Sequence, residues 1–531
     1  MTWSTRFTDA IASEHAVPRF ILQTIPIIGA VTAGVSFATH DRLTASVMTR
    51  DGIGTLPIIA EDGIRVQGAR LSLREWSMHL GGFTVDVISE SGAFLSQCSR
   101  GALFELRCGF AGFISSEFQT ITIGQLVGIS RSGPGEPWTL RFRDLFSAMQ
   151  SRWTTTTAEQ ELFHTLGTTT TVANPYTAGA GGALEVASTS NFDKPASYDG
   201  ALQVSTSGGD WFTTYSGTSG SPVSFTGLPT ADKFNTDQQT AATSDVVTEV
   251  GRLLGEPLHI FAAIVTSTGL GTNGTYDLYP KSWGFGLDAR FLDESDLNIS
   301  AADMAPPSGT KTIDLLVEGA QANGLSWLLG WMSDFGVWPV LRQGKISARP
   351  IMPGGVAVFT TITQTPARVL KPIADGDIVE IEWEAFHPDY IGEVESFQTS
   401  RFPVGAGAAV NSAAKTEAIS HLPSLSTRLD PLTLYGSGAN DVMNATRDRM
   451  AEWQLRIPER IRVRTRTLYH SQLVPGDFTT LTTKLITGRL ESTRNGYNAR
   501  RVLVTEVTPD WTGANVSLDL AVLPDKADEF D

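Results

Sequence analysis

IRVRTRTLYHSQLVPGD, residues Ile461 to Asp477, decides how this chain is read. Ile461, Val463, Thr465 and Thr467 alternate with Arg462, Arg464 and Arg466. A period of two marks a strand with one packed face and one charged face. Pro475-Gly476-Asp477 then turns the chain, and Phe478 to Ile486 reads as a second strand. Arg494-Asn495-Gly496-Tyr497 predicts a tight turn, RRVLVTEVTPDW (Arg500 to Trp511) a third strand, Thr512-Gly513-Ala514-Asn515 another turn, and VSLDLAVL (Val516 to Leu523) a fourth strand. The expectation is an antiparallel meander with short polar turns and no catalytic group in it. Just upstream, Asn440 to Leu455 predicts an amphipathic helix, with Val442, Met443, Thr446, Met450 and Trp453 at three- and four-residue steps.

Composition bounds the rest. A chain of 531 residues divides into several domains. With 51 Gly and 26 Pro, it favours turns and strands over long helices. Its net charge of -16 is not the footprint of a general nucleic-acid binder. Two cysteines argue against a disulfide-stapled secreted protein and for folding in a reducing cytoplasm. Cys98 and Cys108 lack metal-ligand spacing and read as buried thiols. The apolar run Phe20 to Val35 is interrupted by Gln23, Thr24 and Pro26 and falls short of the ~20 residues a spanning helix needs. It reads as a strand pair of a core, not a membrane span or a signal peptide.

The fold class expected is mainly β, a β-rich α+β chain of several domains. Residues 1–153 carry strand-like runs bounded by Gly or Ser turns, which predicts a barrel or sandwich. Residues 154–235 are Thr-, Gly- and Ser-rich and read as a small exposed β insertion. Trp211, Asp210 and Tyr215 are its candidate ligand contacts, with a glycan or a protein as the ligand. Residues 236–355 are mixed. A helix is expected within Ser244 to Leu254, the acidic knot Asp293-Glu294-Ser295-Asp296 reads as solvated surface, and Val337 to Met352 predicts a hairpin turning at Arg342-Gln343-Gly344-Lys345. Residues 356–435 give the strands VAVFTTI and DIVEIEW, then an extended arm over Phe397 to Asp430. Residues 436–531 hold the helix and the strands described first.

One motif looks like chemistry. Gly217-Thr218-Ser219-Gly220-Ser221-Pro222 resembles the nucleophile loop of trypsin-like serine proteases. The family's histidine context is missing around His40, His79 and His164, and a Gly/Ser/Thr hairpin produces the same letters. Glu380, Glu382 and Glu384 alternate along one strand face, where a carboxylate pair for glycan hydrolysis is one reading and solvated surface the favoured one. No enzyme activity, cofactor or metal is expected.

The chain as a whole resembles the tail hub (baseplate hub) proteins of long-tailed bacteriophages and gene-transfer-agent particles. The runs that carry the resemblance are LGGFTVDVI (80–88), GALFELRCGFAGF (101–113), FQTITIGQLVGISRSG (118–133) with WTLRFRDL (138–145), VPGDFTTLTT (474–483) and RRVLVTEVTPDW (500–511). The resemblance implies two tail-tube-like β-barrels, each backed by a helix, and a homotrimeric ring whose six barrels continue a six-fold tube. It further implies a distal tail or tail-tube protein above, a central fibre or tip protein below, and DNA passing through the lumen without specific binding. The location implied is the tail tip of a virion assembled in the host cytoplasm. Arg462, Arg464 and Arg466 are then candidate contacts to an acidic neighbouring subunit. The readings from other classes are a host-surface binder acting through the insertion and a hydrolase with Ser219 as nucleophile.

Overall fold

The computed structural model describes residues 3–14, 17–25, 42–45, 56–72, 77–90, 92, 94–95, 98, 100–149, 167–192, 194, 199–230, 239–266, 284–285, 287–304, 313–317, 324–350, 371–384, 391–399, 409–416, 425–429, 434–435, 459–486 and 496–522. The helix expected over Asn440 to Leu455 and the strand VAVFTTI lie outside them.

The N-terminal part opens with α1 (Thr5–Ile11). The strands that follow are β1 (Pro18–Ile25), β2 (Arg42–Ala45), β3 (Leu56–Gln67), β4 (Arg70–Ser72), β5 (Ser77–His79), β6 (Gly82–Val87), β7 (Leu103–Phe110), β8 (Gln119–Arg131) and β9 (Trp138–Asp144), and α2 (Leu145–Ala148) ends the series. Seven of the strands close a barrel in the order β1-β2-β3-β6-β9-β8-β7, and β7 returns to β1 from Pro18↔Phe110 to Ile25↔Leu103. Closure removes the free edges that a strand-rich module otherwise exposes. Period-two alternation sends Phe83, Val85, Leu106, Leu126, Leu140 and Phe142 into one core, where the Phe83 and Phe142 rings stack at 4.3 Å. Cys98 and Cys108 are buried thiols in that core, as expected. The sequence reading missed α1, a short helix capped by Ser4, whose Oγ accepts the Phe7 N–H at 3.3 Å.

The middle part contains β10 (Thr169–Thr171), β11 (Gly182–Glu185), β12 (Gly200–Thr206), β13 (Gly209–Tyr215), β14 (Gly217–Gly220), β15 (Val223–Leu228), β16 (Val246–Gly255), α3 (Pro257–Thr266), α4 (Glu294–Met304), β17 (Ile313–Val317), α5 (Gly324–Asp334), β18 (Val337–Arg342) and β19 (Lys345–Pro350). The helix expected before Gly255 is instead the strand β16, and the helix begins after the break, at Pro257. Val246, Val247 and Val250 are β-branched and pair with β12, and Val246 and Val247 pair on their other side with β10, so pairing overrides the helical spacing. The β12–β16 ladder crosses the boundary drawn at residue 235, so the insertion and the middle part share a sheet. The β18–β19 hairpin forms as predicted and turns at Gln343 and Gly344, both with positive φ.

The last part contains β20 (Ile373–Ala374), β21 (Ile378–Glu384), β22 (Ile391–Thr399), β23 (Ala409–Thr416), β24 (Leu425–Leu429), β25 (Leu434–Tyr435), β26 (Glu459–Thr465), β27 (Phe478–Thr483), β28 (Tyr497–Asp510) and β29 (Asn515–Val522). The arm expected over Phe397 to Asp430 supplies strand instead: β23-β22-β24 form a sheet of their own. The C-terminal strands run in the order β20-β27-β28-β29-β26-β21. β26 therefore pairs with β29 and not with β27, which makes the unit a Greek key in place of the expected meander. The connection from Arg466 to Asp477, with a helical turn at Leu468–Gln472, is too long for a hairpin and crosses the end of the sheet. Thr483 pairs with Tyr497, and the tight turn expected at 494–497 begins outside the described residues. The two edges, β20 and β21, are consecutive in the chain and joined by the short turn Asp375–Asp377. The sheet thus curls until the chain itself links its edges.

The two β modules are fused. β4, from the N-terminal part, adds to the C-terminal sheet through Arg70↔Glu506. Trp3, Phe7 and Phe110 share one core with Leu468, Val507 and Trp511, and the Trp3 and Trp511 rings meet edge-on at 6.4 Å. Gly68 lies so close to β28 that a Cβ there would overlap the Val507 carbonyl oxygen. Gly68→Val is expected to lower stability by about 1–3 kcal/mol through overpacking at this seam, read as a drop in the thermal unfolding midpoint. A midpoint equal to wild type would contradict the packed junction.

Candidate functional site

The charged face of β26 is built by the alternation that defined it in the sequence. Ile461 and Val463 point into the core, while Arg462, Arg464 and Arg466 are exposed. Pairing with β21 sets Glu380 opposite Arg464, Glu382 opposite Arg462 and Glu384 opposite Arg460. Arg464 Nη2 reaches Glu380 at 2.9 Å and Arg462 Nη1 lies 3.7 Å from Glu382. On the other side, Arg462 Nε and Arg460 both donate to Asp519 of β29. Two of the three candidate subunit contacts are therefore already engaged by acids of their own chain, and the glutamates form a paired row and not a bare carboxylate cluster. Each exposed pair contributes little by itself, of order 0–1 kcal/mol.

The deepest polar cluster lies where the middle part meets the C-terminal sheet. Arg349 ends the β18–β19 hairpin and its side chain is only 1% exposed. Its Nε donates to Asp477 at 3.1 Å and its Nη1 to Asp296, and Arg342 stands 3.9 Å from Asp296. Burial alone works against the charge of Arg349, but the carboxylates of Asp477 and Asp296 outweigh it and hold the guanidinium protonated. Asp293, whose carboxylate accepts the Asp296 N–H at 3.3 Å, caps α4, and Ser347 donates to Asp296. The acidic knot read as solvated surface is thus half buried: Asp293 and Asp296 lie inside, while Glu294 and Ser295 stay exposed. The correction follows from a helix cap, which the Asp293 position signals, and from a buried cation, Arg349, which the local letters D-E-S-D do not display. Asp477 belongs to the predicted Pro475-Gly476-Asp477 turn. Gly476 there has φ +92°, and a Cβ on it would press 2.9 Å from Arg349 Cβ.

The insertion does not present the contacts expected of it. Trp211 and Tyr215 are fully buried in a core with Tyr176, Phe192 and Phe225, so neither can meet a ligand. Phe212 is buried on the opposite face of β13 with Ala201, Val250 and Leu316. A strand covered on both faces ordinarily reads as a continuous apolar run, but in β13 the buried Thr213 and Thr214 interrupt it. Asp210 is exposed and accepts from Gln203 at 2.9 Å across the hairpin. Ser219 sits in the β14–β15 hairpin, opposite Ser224, and its Oγ accepts the Ser221 N–H at 3.4 Å. That places it in the Gly/Ser/Thr hairpin and not on a nucleophile turn; His40 and His164 lie outside the described residues. No group of His, Cys, Asp and Glu able to hold a metal occurs among the described residues, and no helix there is long and apolar enough to cross a membrane.

The charge excess is also localised. Residues 1–149 carry 12 Lys and Arg against 13 Asp and Glu, and residues 436–531 carry 13 against 13. Residues 150–435 carry 15 against 30, so the two ends of the chain are balanced and the middle holds the negative charge.

With this geometry in view, the chain was compared with known proteins. No protein-family model and no curated protein matches it. Among solved structures it is similar to the 43 kDa tail protein of a Shewanella oneidensis prophage, at 8% identity and TM-score 0.36 over 87% of this chain and 94% of that one. A prophage tail protein of Listeria monocytogenes aligns at 8% identity and TM-score 0.39 over 94% of each chain. The tail protein of Neisseria meningitidis aligns at 8% identity and TM-score 0.33, over 86% of this chain and 96% of that one.

Two outcomes are expected from the site. Arg349→Met leaves the buried Asp296 with only the more distant Arg342 and the partly buried Asp477 without this cation, and should cost about 3–5 kcal/mol, measured by chemical denaturation; a loss under about 1 kcal/mol would contradict the clamp. His470 is the second. Burial lowers its pKa below the ordinary 6.5; the Pro372 carbonyl and Asp377 oppose this, and Lys371 adds to it. The folded state therefore favours neutral imidazole, so stability is present above pH 6.5 and is lost as pH falls below it. Thermal midpoints between neutral and mildly acidic pH should fall less steeply in His470→Gln than in wild type.

Proposed function

We propose that this chain is a structural subunit of a phage-type tail, located at the tip of the tail tube. The observation that carries the reading is the fusion of two curled β modules into one body, through a shared core, the Gly68–Val507 contact and the strand β4 donated across the seam. A rigid pair of such modules suits a ring wall: three copies would set six modules around an axis and match a six-fold tube, while the single middle part of each chain keeps the three-fold symmetry of a central fibre or spike. In that arrangement the distal tail or tail-tube protein packs above and the fibre or tip protein below.

The charge distribution supports a passive channel. With barrels close to neutral, a wall made of them offers DNA no cationic excess to bind, and the phosphate backbone slides without counterion release. The acidic middle would lie away from that wall. Nothing in this role calls for a catalytic step. Binding of host glycans through Trp211 and Tyr215 has lost its support, since both rings are core residues.

The test is the oligomeric state of the purified full chain by native mass spectrometry and negative-stain imaging. Trimers seen as closed rings are expected. Monomers at every concentration would overturn the ring.

A further inference from the structure

The edge strand β21 has features that the ring does not use. Among the described residues it pairs with β26 alone, so its outer edge presents unpaired N–H and C=O groups. Val379 and Trp383, 53% and 37% exposed, lie along it. By strand alternation Trp383 occupies the face opposite the Glu380-Glu382-Glu384 row, while Val379 sits in the bulge between Ile378 and Glu380. Natural sheets blunt such edges with charged side chains, Pro, bulges or a covering segment; β21 has a bulge and three glutamates, which repel acidic strands and leave the edge open to a basic one.

A second, independent feature sits behind Trp383. Glu459, the first residue of β26, is 2% exposed. Its Oε2 accepts from Trp383 Nε1 at 3.1 Å and from the Tyr497 hydroxyl. Its Oε1 is buried and has no hydrogen-bond partner among the described residues. A buried carboxylate oxygen without a donor is costly, and the remedy is a cation or donor brought to it.

We propose that β21 is a docking edge for an extended basic segment of another protein. The segment adds to the sheet by main-chain pairing, and one Lys or Arg passes beside the Trp383 ring to reach Glu459 Oε1. The acidic row asks for bases at alternate positions of the incoming strand, the pattern that β26 already presents to β21 from its other side, Arg464 to Glu380 and Arg462 to Glu382. The same row excludes a second copy of β21 as the occupant, because antiparallel self-pairing would set carboxylates against carboxylates. Trp383 then offers its ring face to the cation.

The probe is a fluorescently labelled peptide ERKRVRT, the β26 sequence Glu459–Thr465 with Ile461→Lys so that one base lies on the Trp383 face while the arginines meet the acidic row, titrated with the full chain and followed by anisotropy. Saturable binding is expected that weakens as salt rises and falls about tenfold in Trp383→Ala and in the triple variant Glu380→Gln, Glu382→Gln, Glu384→Gln. Trp383→Phe, which keeps the ring, should retain most of the binding and guards against a loss due to misfolding. No saturable binding, equal binding of a peptide with each Arg replaced by Glu, or unchanged binding in both the Trp383→Ala and triple-Gln variants would overturn the proposal. The measurement does not depend on ring formation, so a monomeric chain that binds the peptide would refute the ring and leave this inference standing.

Discussion

A single guanidinium ties the molecule together. Arg349 reaches the end of a hairpin in the middle part and lies, almost sealed from water, between Asp296 at the start of α4 and Asp477 in the turn that opens the C-terminal sheet. A buried charge of this kind is weak as a source of stability and strong as a constraint, because the cation is tolerated only when both carboxylates are in place. The turn is pinned twice more: Gly476 N–H donates to Val504 and Val504 N–H to Asp477, each at 2.8 Å. The middle part therefore docks on β28 in one register. Since β28 also carries the seam to the N-terminal barrel, one strand relays the geometry of all three parts.

That arrangement explains why the functional reading rests on shape and not on a catalytic centre. The polar groups with the strongest environments (Arg349, His470, the Tyr497–Glu459 pair) are spent on joining elements. The charged surface of β26 is balanced by its neighbours within the chain. What remains directed outward is an edge strand, an acidic row and an exposed tryptophan, the equipment of a protein that binds other proteins.

Much of the β framework was legible in the sequence because period-two alternation reports one-sided burial directly. Ile461 and Val463 against their arginines, and Phe83 and Val85 in the N-terminal barrel, are read correctly for that reason. Strand order is another matter. The letters of β26 and β27 are the same whether they pair with each other or with β29, and only the long stretch from Arg466 to Asp477 could have argued against a hairpin. Trp211 and Tyr215 are misread because aromatics among Gly and Thr resemble a surface platform, and Thr213 and Thr214 break the continuous apolar run that would signal a strand covered on both faces. Asp296 carried no local sign of burial, since its partner Arg349 is distant in sequence. A helix-cap signature at Asp293 was nonetheless present.

The central claim is that the two β modules behave as one rigid body. Hydrogen exchange of the full chain across a denaturant series tests it most directly, comparing the amides of β7 in the N-terminal barrel with those of β28 in the C-terminal sheet. The account predicts that both strands open together, in one cooperative unit with the same denaturant dependence. Exchange of β28 at markedly lower denaturant than β7 would contradict it.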